Sequence, residues 1–314
     1  MTRCAVDTVG ELTVGIAAPI PRGADAARAR PVVDQVVAAG LDHLVVGDHV
    51  TFFGGFGIDG LVHATFLLAL HPDLAVRTSV YLLALRHPVP VARQLSTISS
   101  FAPGRLVLGV GIGGEDRHEV SSCGVDPSTR GRRMDESMHV IRGLQSGAPV
   151  TFHGEFFDLD DVVIDPPVMP PIPMIVGGRS SAAVRRAGRH GDGWLGIWVS
   201  PERFAAATAE AAREADRAGR NQITWQHGMT VWCGFDTGAA DGRTSVGTVM
   251  EQIYRQPFER FARYVPAGSP TEVADALGPY VDAGCRTFNL LAHTADPAAV
   301  IPAAAEVKRL LLGA

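Results

Sequence analysis

Pro173-Met174-Ile175-Val176-Gly177-Gly178-Arg179-Ser180-Ser181 is an apolar run that passes through two glycines into a serine-rich helix start. Paired glycines let a ligand approach bare backbone, and the first turn of a helix presents unpaired N–H groups and a positive dipole end. That combination is a phosphate cradle, with the Arg179 charge beside it. The same pattern also serves as a tight strand-to-helix turn, so its surroundings decide the reading. Ser180 and Ser181 suit a helix cap, which is compatible with an anion seated on the capped helix start.

Outward from this junction, strand-like and helix-like runs alternate along the whole chain. Strands are expected at Leu12–Ala17, His43–Gly47, Leu74–Leu83, Arg105–Val110, Met174–Val176, Gly193–Ile197, Ile223–Cys233 and Arg286–Ala292. Helical patterns follow each of them, several opened by proline or closed by glycine, as at Pro88 and Gly40. The second run is continuous and β-branched, as buried parallel strands are. Eight such units predict an α/β fold of the TIM (β/α)8 barrel type. A doubly wound sheet is the alternative, but no G-x-G-x-x-G follows the first strand. Two stretches break the alternation. Residues 150–173 read as an inserted hairpin with a proline-rich tether, and residues 235–247, polar and glycine-rich, read as a mobile loop. The 314 residues are expected to form a single domain, 1–314.

Composition narrows the partners. A net charge of −5 with no basic run argues against nucleic acid. Cys4, Cys123, Cys233 and Cys285 are scattered without C-x-x-C spacing, so a reduced cytoplasmic protein without a zinc site is expected. No apolar run reaches the roughly 20 residues that span a bilayer, and no signal peptide is evident. All basic residues but Lys308 are arginine, which together with abundant alanine and glycine fits a GC-rich, actinobacterium-like source.

In a TIM barrel the reacting groups stand at the C-terminal strand ends. Strand 2 ends in Asp48-His49, strand 3 in Ser79-Val80-Tyr81, and strand 4 in Gly109-Val110-Gly111-Ile112-Gly113-Gly114-Glu115-Asp116. The glycines at 109, 111, 113 and 114 exceed what a tight turn needs and predict close approach of a flat ring to the backbone. Asp48 and His49 offer a carboxylate and an imidazole for a polar ring edge and for proton transfer, although an N-cap with a surface histidine would read the same. Glu115 is a candidate acid or base, or a favourable charge at a helix start. Trp194 and Trp198 read as core, with a pocket lining as the alternative.

Several segments together resemble the luciferase-like monooxygenase superfamily, in its branch using the deazaflavin coenzyme F420. They are Leu44 to His49, Thr78 to Pro88, Gly104 to Gly113, Arg133 to Glu136, Ile175 to Gly178, Gly188 to Trp194 and Gly268 to Val273. The resemblance implies a barrel with the cofactor ring at the strand ends and its phosphate on the Gly177-Gly178 turn. It also implies a non-proline cis peptide between Ser79 and Val80, Asp48 near the ring's polar edge and His49 near its reacting face. Homodimers are common in the family. Dehydrogenases of this branch carry a tryptophan and a glutamate where this chain has Phe53 and Gly114, and their phosphate-gripping lysines have no counterpart here.

The sequence therefore predicts a deazaflavin-dependent oxidoreductase acting on a small, weakly charged organic substrate. His49 and Glu115 are the catalytic candidates. Asp48, Ser79, Val80, Gly109, Gly111, Gly113, Gly177, Gly178, Arg179 and Ser180 would bind the cofactor. The alternatives are an FMN-dependent monooxygenase on the same fold and a flavin- or deazaflavin-binding protein without turnover. A homodimer with no nucleic-acid or membrane partner is expected.

Overall fold

The computed structural model describes residues 10–17, 19–21, 23–114, 116–236 and 239–313. Eight strands close into a barrel: β1 (Thr13–Ile16), β2 (His43–Val46), β3 (Ala75–Thr78), β4 (Leu106–Val110), β5 (Met174–Gly177), β6 (Gly193–Ile197), β7 (Gly228–Phe235) and β8 (Thr287–His293). Each pairs in parallel with its neighbours in sequence, and β8 returns to β1, with Thr13 opposite Thr287. Continuous apolar strands between helices leave parallel pairing as the arrangement that buries both faces. The TIM barrel expected from the alternation is the observed fold.

Strand alternation sorts the side chains. Val14, Ile16, Leu44, Val46, Leu108 and Val176 point outward and join the helices in the main core. Val107, Ile175 and Leu195, with Val80, form a separate small apolar cluster. The opposite side of the barrel interior is polar. His43 Nε2 lies 2.8 Å from Asn289 Oδ1, Thr13 Oγ1 3.0 Å from Thr287 Oγ1, and Ser79 Oγ 2.7 Å from Thr230 Oγ1. Gly15 is needed there, because a Cβ on it would sit 2.2 Å from His43 Cδ2.

The insertion is a hairpin, Val150–His153 against Asp158–Val162, followed by the proline tether. Glu136 anchors its turn by accepting the amides of Glu155, Phe156 and Phe157 at 2.7, 3.0 and 3.3 Å.

Three elements differ from expectation. The third strand stops at Thr78, since the chain kinks at a cis Ser79–Val80 peptide and Leu83–Leu85 then forms a 3-10 turn. The seventh strand starts at Gly228 rather than Ile223, because the preceding segment bonds elsewhere: Gln226 N donates to Asp192 O at 2.9 Å. The stretch 235–247 is not a mobile loop where it is described. A helix runs from Ala239 to Tyr254, and residues 237 and 238 lie outside the described residues. Its glycine serves packing: a Cβ on Gly234 would meet Gly242 O at 1.9 Å, so strand and helix backbones touch. Val246 and Met250 are fully buried beneath that contact, beside Trp232 and Phe261.

Burial makes two histidines neutral. His43 is lowered to about 3 by desolvation and by Arg77, and His227 to about 4 by desolvation. Both bind a proton in the unfolded chain near pH 6.5 but resist it when folded. Their contribution is therefore complete above pH 6.5 and is lost as pH falls towards the folded values. Denaturant unfolding at pH 5 should show stability lower than at pH 7 by about 2 kcal/mol per buried histidine. In His43→Asn that pH-dependent loss should shrink by one such share; an unchanged loss would contradict the assignment.

Candidate active site

A cleft of about 250 Å³ opens at the C-terminal ends of the strands. It is bounded by the exits of β2, β3, β4, β5 and β6, with Thr230 of β7 and Tyr254 of the following helix. Of the expected residues it gathers Asp48, His49, Ser79, Val80, Gly111, Gly113, Gly177, Gly178 and Arg179. Gly109 lies one layer deeper, where it borders a small void inside the barrel. Ser180 caps the helix Ser181–His190 through Oγ, which accepts Ala183 N at 3.2 Å. Glu115 lies outside the described residues.

Val80 is the centre of this construction. A Cβ on Gly111 would stand 2.4 Å from Val80 Cγ2, and one on Gly177 would stand 2.6 Å from Val80 Cγ1. Gly109 similarly clears Thr78 O, which a Cβ would meet at 2.0 Å. Gly109 and Gly111 were expected to leave room for a ring, and Gly177 for a phosphate; in the structure the absence of their side chains also makes room for Val80 and the β3 exit. Bare backbone facing open space occurs one step later, at Gly114, where a Cβ would meet nothing within 4 Å. Val80 itself becomes a wall of the cleft.

At the other end, Gly178 has φ +126°, a conformation a side chain would strain. Its peptide groups are clamped on both sides: Gly178 N donates to Leu195 O at 3.3 Å, and Trp194 Nε1 donates to Gly178 O at 2.8 Å. Trp194 is thus core, and Trp198 belongs to a second core cluster while also walling the cleft. The helix that follows spends its cap on Ala183 N, leaving earlier first-turn amides for an anion beside the Arg179 guanidinium. A planar redox ring with a phosphate tail fits this set: an aliphatic wall, an open stretch of backbone and an anion-binding helix start.

His49 stands on a short strand, His49–Thr51, paired antiparallel with Phe56–Ile58 and stacked on Phe52 at 4.0 Å between ring centroids. Its Nδ1 is 3.0 Å from Glu119 Oε2. Glu119 is 2% exposed and also accepts Val50 N at 2.7 Å and Thr51 N at 3.1 Å. A carboxylate beside Nδ1 favours the tautomer with its proton there, and Nε2 has no hydrogen bond among the described residues. Glu119 was not among the expected site residues. Its only trace in the sequence is that it stands five residues beyond the last of the strand-4 glycines.

Asp48 lines the cleft and is also engaged by the protein itself. Its carboxylate faces into the protein, where Oδ1 accepts Gly60 N and Arg86 Nη2 at 2.9 and 2.8 Å, and Oδ2 accepts Leu82 N and Arg86 Nη1 at 2.8 and 2.5 Å. Those four bonds fill its lone pairs, leaving none for a ring edge. Burial raises the Asp48 carboxyl above its usual range, with Arg86 and the two amides pulling the other way. Asp48 ties the β2 exit to the chain just past Val80. Asp116 does the same for the adjoining loop, accepting Phe53 N at 2.7 Å.

Steric matching of Val80 to Gly111 is testable by a double-mutant cycle. Gly111→Ala should destabilise the fold by about 1–3 kcal/mol, as overpacking does. Val80→Ala should relieve much of that cost, so the pair should be non-additive in denaturant unfolding. Strict additivity would contradict the contact.

The chain matches the family model of luciferase-like monooxygenases over residues 12–287. An uncharacterised protein of Mycobacterium tuberculosis is 34% identical over 163 residues, 52% of this chain and 56% of that one, so the match spans little more than half of that relative. An F420-dependent glucose-6-phosphate dehydrogenase of Nakamurella multipartita is 32% identical over 286 residues, covering 81% of this chain and 84% of that one. Among solved structures, an F420-dependent secondary alcohol dehydrogenase in complex with an F420–acetone adduct superposes with TM-score 0.79 at 21% identity, covering 95% and 98% of the two chains. The oxygenating constituent of 3,6-diketocamphane monooxygenase from Pseudomonas putida, in complex with FMN, gives 0.74 at 15% identity, covering 95% and 96%. At such identities the structural likeness speaks for the barrel alone; the sequence match over residues 12–287 establishes that the chain belongs to the luciferase-like monooxygenase family.

Proposed function

We propose that the protein is a coenzyme F420-dependent oxidoreductase that moves a hydride between the deazaflavin C5 and a small organic substrate. The observation that carries this reading is the cleft joining His49 to the Gly178–Arg179 helix start across the Val80 wall. The 32% identity to an F420-dependent glucose-6-phosphate dehydrogenase, over 81% of this chain and 84% of that one, supports it. When bound, the deazaflavin would supply or take up the hydride.

The chain's own residues supply the rest. Arg179 and the amides at the start of Ser181–His190 would hold the phosphate, and Val80 with the Gly113–Gly114 backbone would border the ring. His49 Nε2 is the group that gives or takes the balancing proton at the substrate oxygen, and Glu119 keeps the imidazole in the tautomer that can do so. Trp198 and Tyr254 line the cleft as well and would flank the bound ring.

Val50 (48% exposed) and Ile58 (47%) stand on the hairpin strands beside the site, and Val62 (66%) on the helix that follows them. We read them as part of a pairing face for a second copy. Light scattering after size exclusion should report the dimer mass; a monomer would contradict this.

The functional reading is tested by titrating the purified protein with F420 and with FMN, then assaying turnover. Tight F420 binding with weak FMN binding is expected; FMN binding together with oxygen consumption would favour the monooxygenase alternative. Binding of F420 without redox turnover across ketones, enones and alcohols would support a binding protein instead. His49→Asn should lower kcat by about 100-fold or more while leaving F420 affinity intact. Glu119→Gln should reduce kcat by less than His49→Asn does, and unchanged rates in both variants would exclude the proton-transfer role.

A further inference from the structure

Beside the cofactor cleft lies a second chamber of about 360 Å³, which shares Arg179, Trp198 and Tyr254 with it. Phe53 and Phe261 complete an aromatic wall, and Arg260 stands at its edge. Among the described residues, no carboxylate lines this chamber. Arg179 lies over the Trp198 ring, 5.2 Å from its centroid, and Arg255 packs over Phe53 at 4.9 Å.

Two further features mark the same wall. Phe53 and Trp198 have φ of 41° and 51°, left-handed conformations that bulky side chains seldom adopt and that gather at ligand sites. Each is held there by its surroundings: Asp116 accepts Phe53 N, Arg255 donates to Phe53 O, and Trp198 packs against Phe261 at 4.5 Å. Trp198 is 7% exposed, yet its indole N–H has no acceptor among the described residues.

We infer that this chamber receives the substrate, and that the substrate is an organic anion: an aromatic or apolar body carrying a carboxylate or phosphate. The inference rests on reading the adjoining cleft as the cofactor site. Arginine forks match the planar oxygens of a carboxylate or the edge of a phosphate, and they do so while stacked on aromatic faces. The aromatic wall takes the body, and Arg260, the lining arginine not already assigned to the cofactor phosphate, answers the oxyanion. This departs from the weakly charged substrate expected from the scarcity of lysine. Arginines placed at the chamber supply the charge that lysines do not.

The test compares benzoate and phenyl phosphate with benzyl alcohol as ligands of the F420-loaded and the cofactor-free protein, followed by calorimetry. One or both anions should bind about tenfold tighter than the alcohol, the scale of one charge-assisted hydrogen bond. Which anion binds better separates a carboxylate from a phosphate substrate. Arg260→Ala should erase the preference and Arg260→Lys should restore part of it. Arg263→Ala, which removes an exposed arginine stacked on Tyr264 outside the chamber, should keep it. Equal binding of the alcohol and both anions, or a preference that survives Arg260→Ala, would overturn the inference. So would a loss of F420 affinity in Arg260→Ala, which would assign that charge to the cofactor's tail. Failure of wild-type protein to bind F420 is read in a separate titration, so it would sink the cofactor reading independently of the anion preference in cofactor-free protein.

Discussion

The site depends on one steric constraint: the Val80 side chain occupies the volume that β-carbons at positions 111 and 177 would need. Three adjacent strand exits meet at that point, and glycine on two of them is what allows the third to deliver a side chain between them. The chain beyond Val80 is then secured by Asp48, which binds Leu82 N and Arg86 and so links the β2 exit to the β3 exit. Removing one partner of that buried pair would leave an uncompensated charge, a loss typically of about 3–5 kcal/mol. Rigidity around the wall is thus built from packing on one side and a filled carboxylate on the other.

That frame positions the chemistry without taking part in it. His49 projects from a short hairpin whose first residues are all gripped by Glu119, a single buried carboxylate reaching one ring nitrogen and two amides. Asp116 grips the next turn at Phe53. Both acids come from the short segment after the β4 glycines, so the β2 and β4 exits are joined by side-chain-to-backbone bonds as well as by the barrel. In the function proposed above His49 is the proton donor, and these bonds are what would hold its geometry.

Much of the fold was legible because its signals are local. Apolar runs at His43–Val46 and Gly193–Ile197, with capping residues between them, marked parallel strands and helices to within a few residues. The site was legible in position, since strand ends in a barrel converge, and the Ser79–Val80 cis peptide implied by the family resemblance is present. What the glycines do was not legible. Composition shows that a Cβ is absent, but only coordinates show whether a ligand, Val80 or another backbone uses the space. The same ambiguity made Gly242 look like loop flexibility, when Gly234 lies against it. Glu119 was hidden for a related reason: its partners, His49 and the amides of Val50 and Thr51, are some 70 residues away in sequence, and no spacing rule links them.

The central claim is that this cleft seats a deazaflavin ring against Val80 with its phosphate at the Gly178–Arg179 helix start. A crystal structure of the F420 complex tests it most directly. The account predicts ring density in contact with Val80 and the Gly113–Gly114 backbone, phosphate on the first-turn amides of Ser181–His190, and His49 Nε2 facing the ring. Density for the ring away from Val80, or a phosphate bound without that helix start, would contradict it.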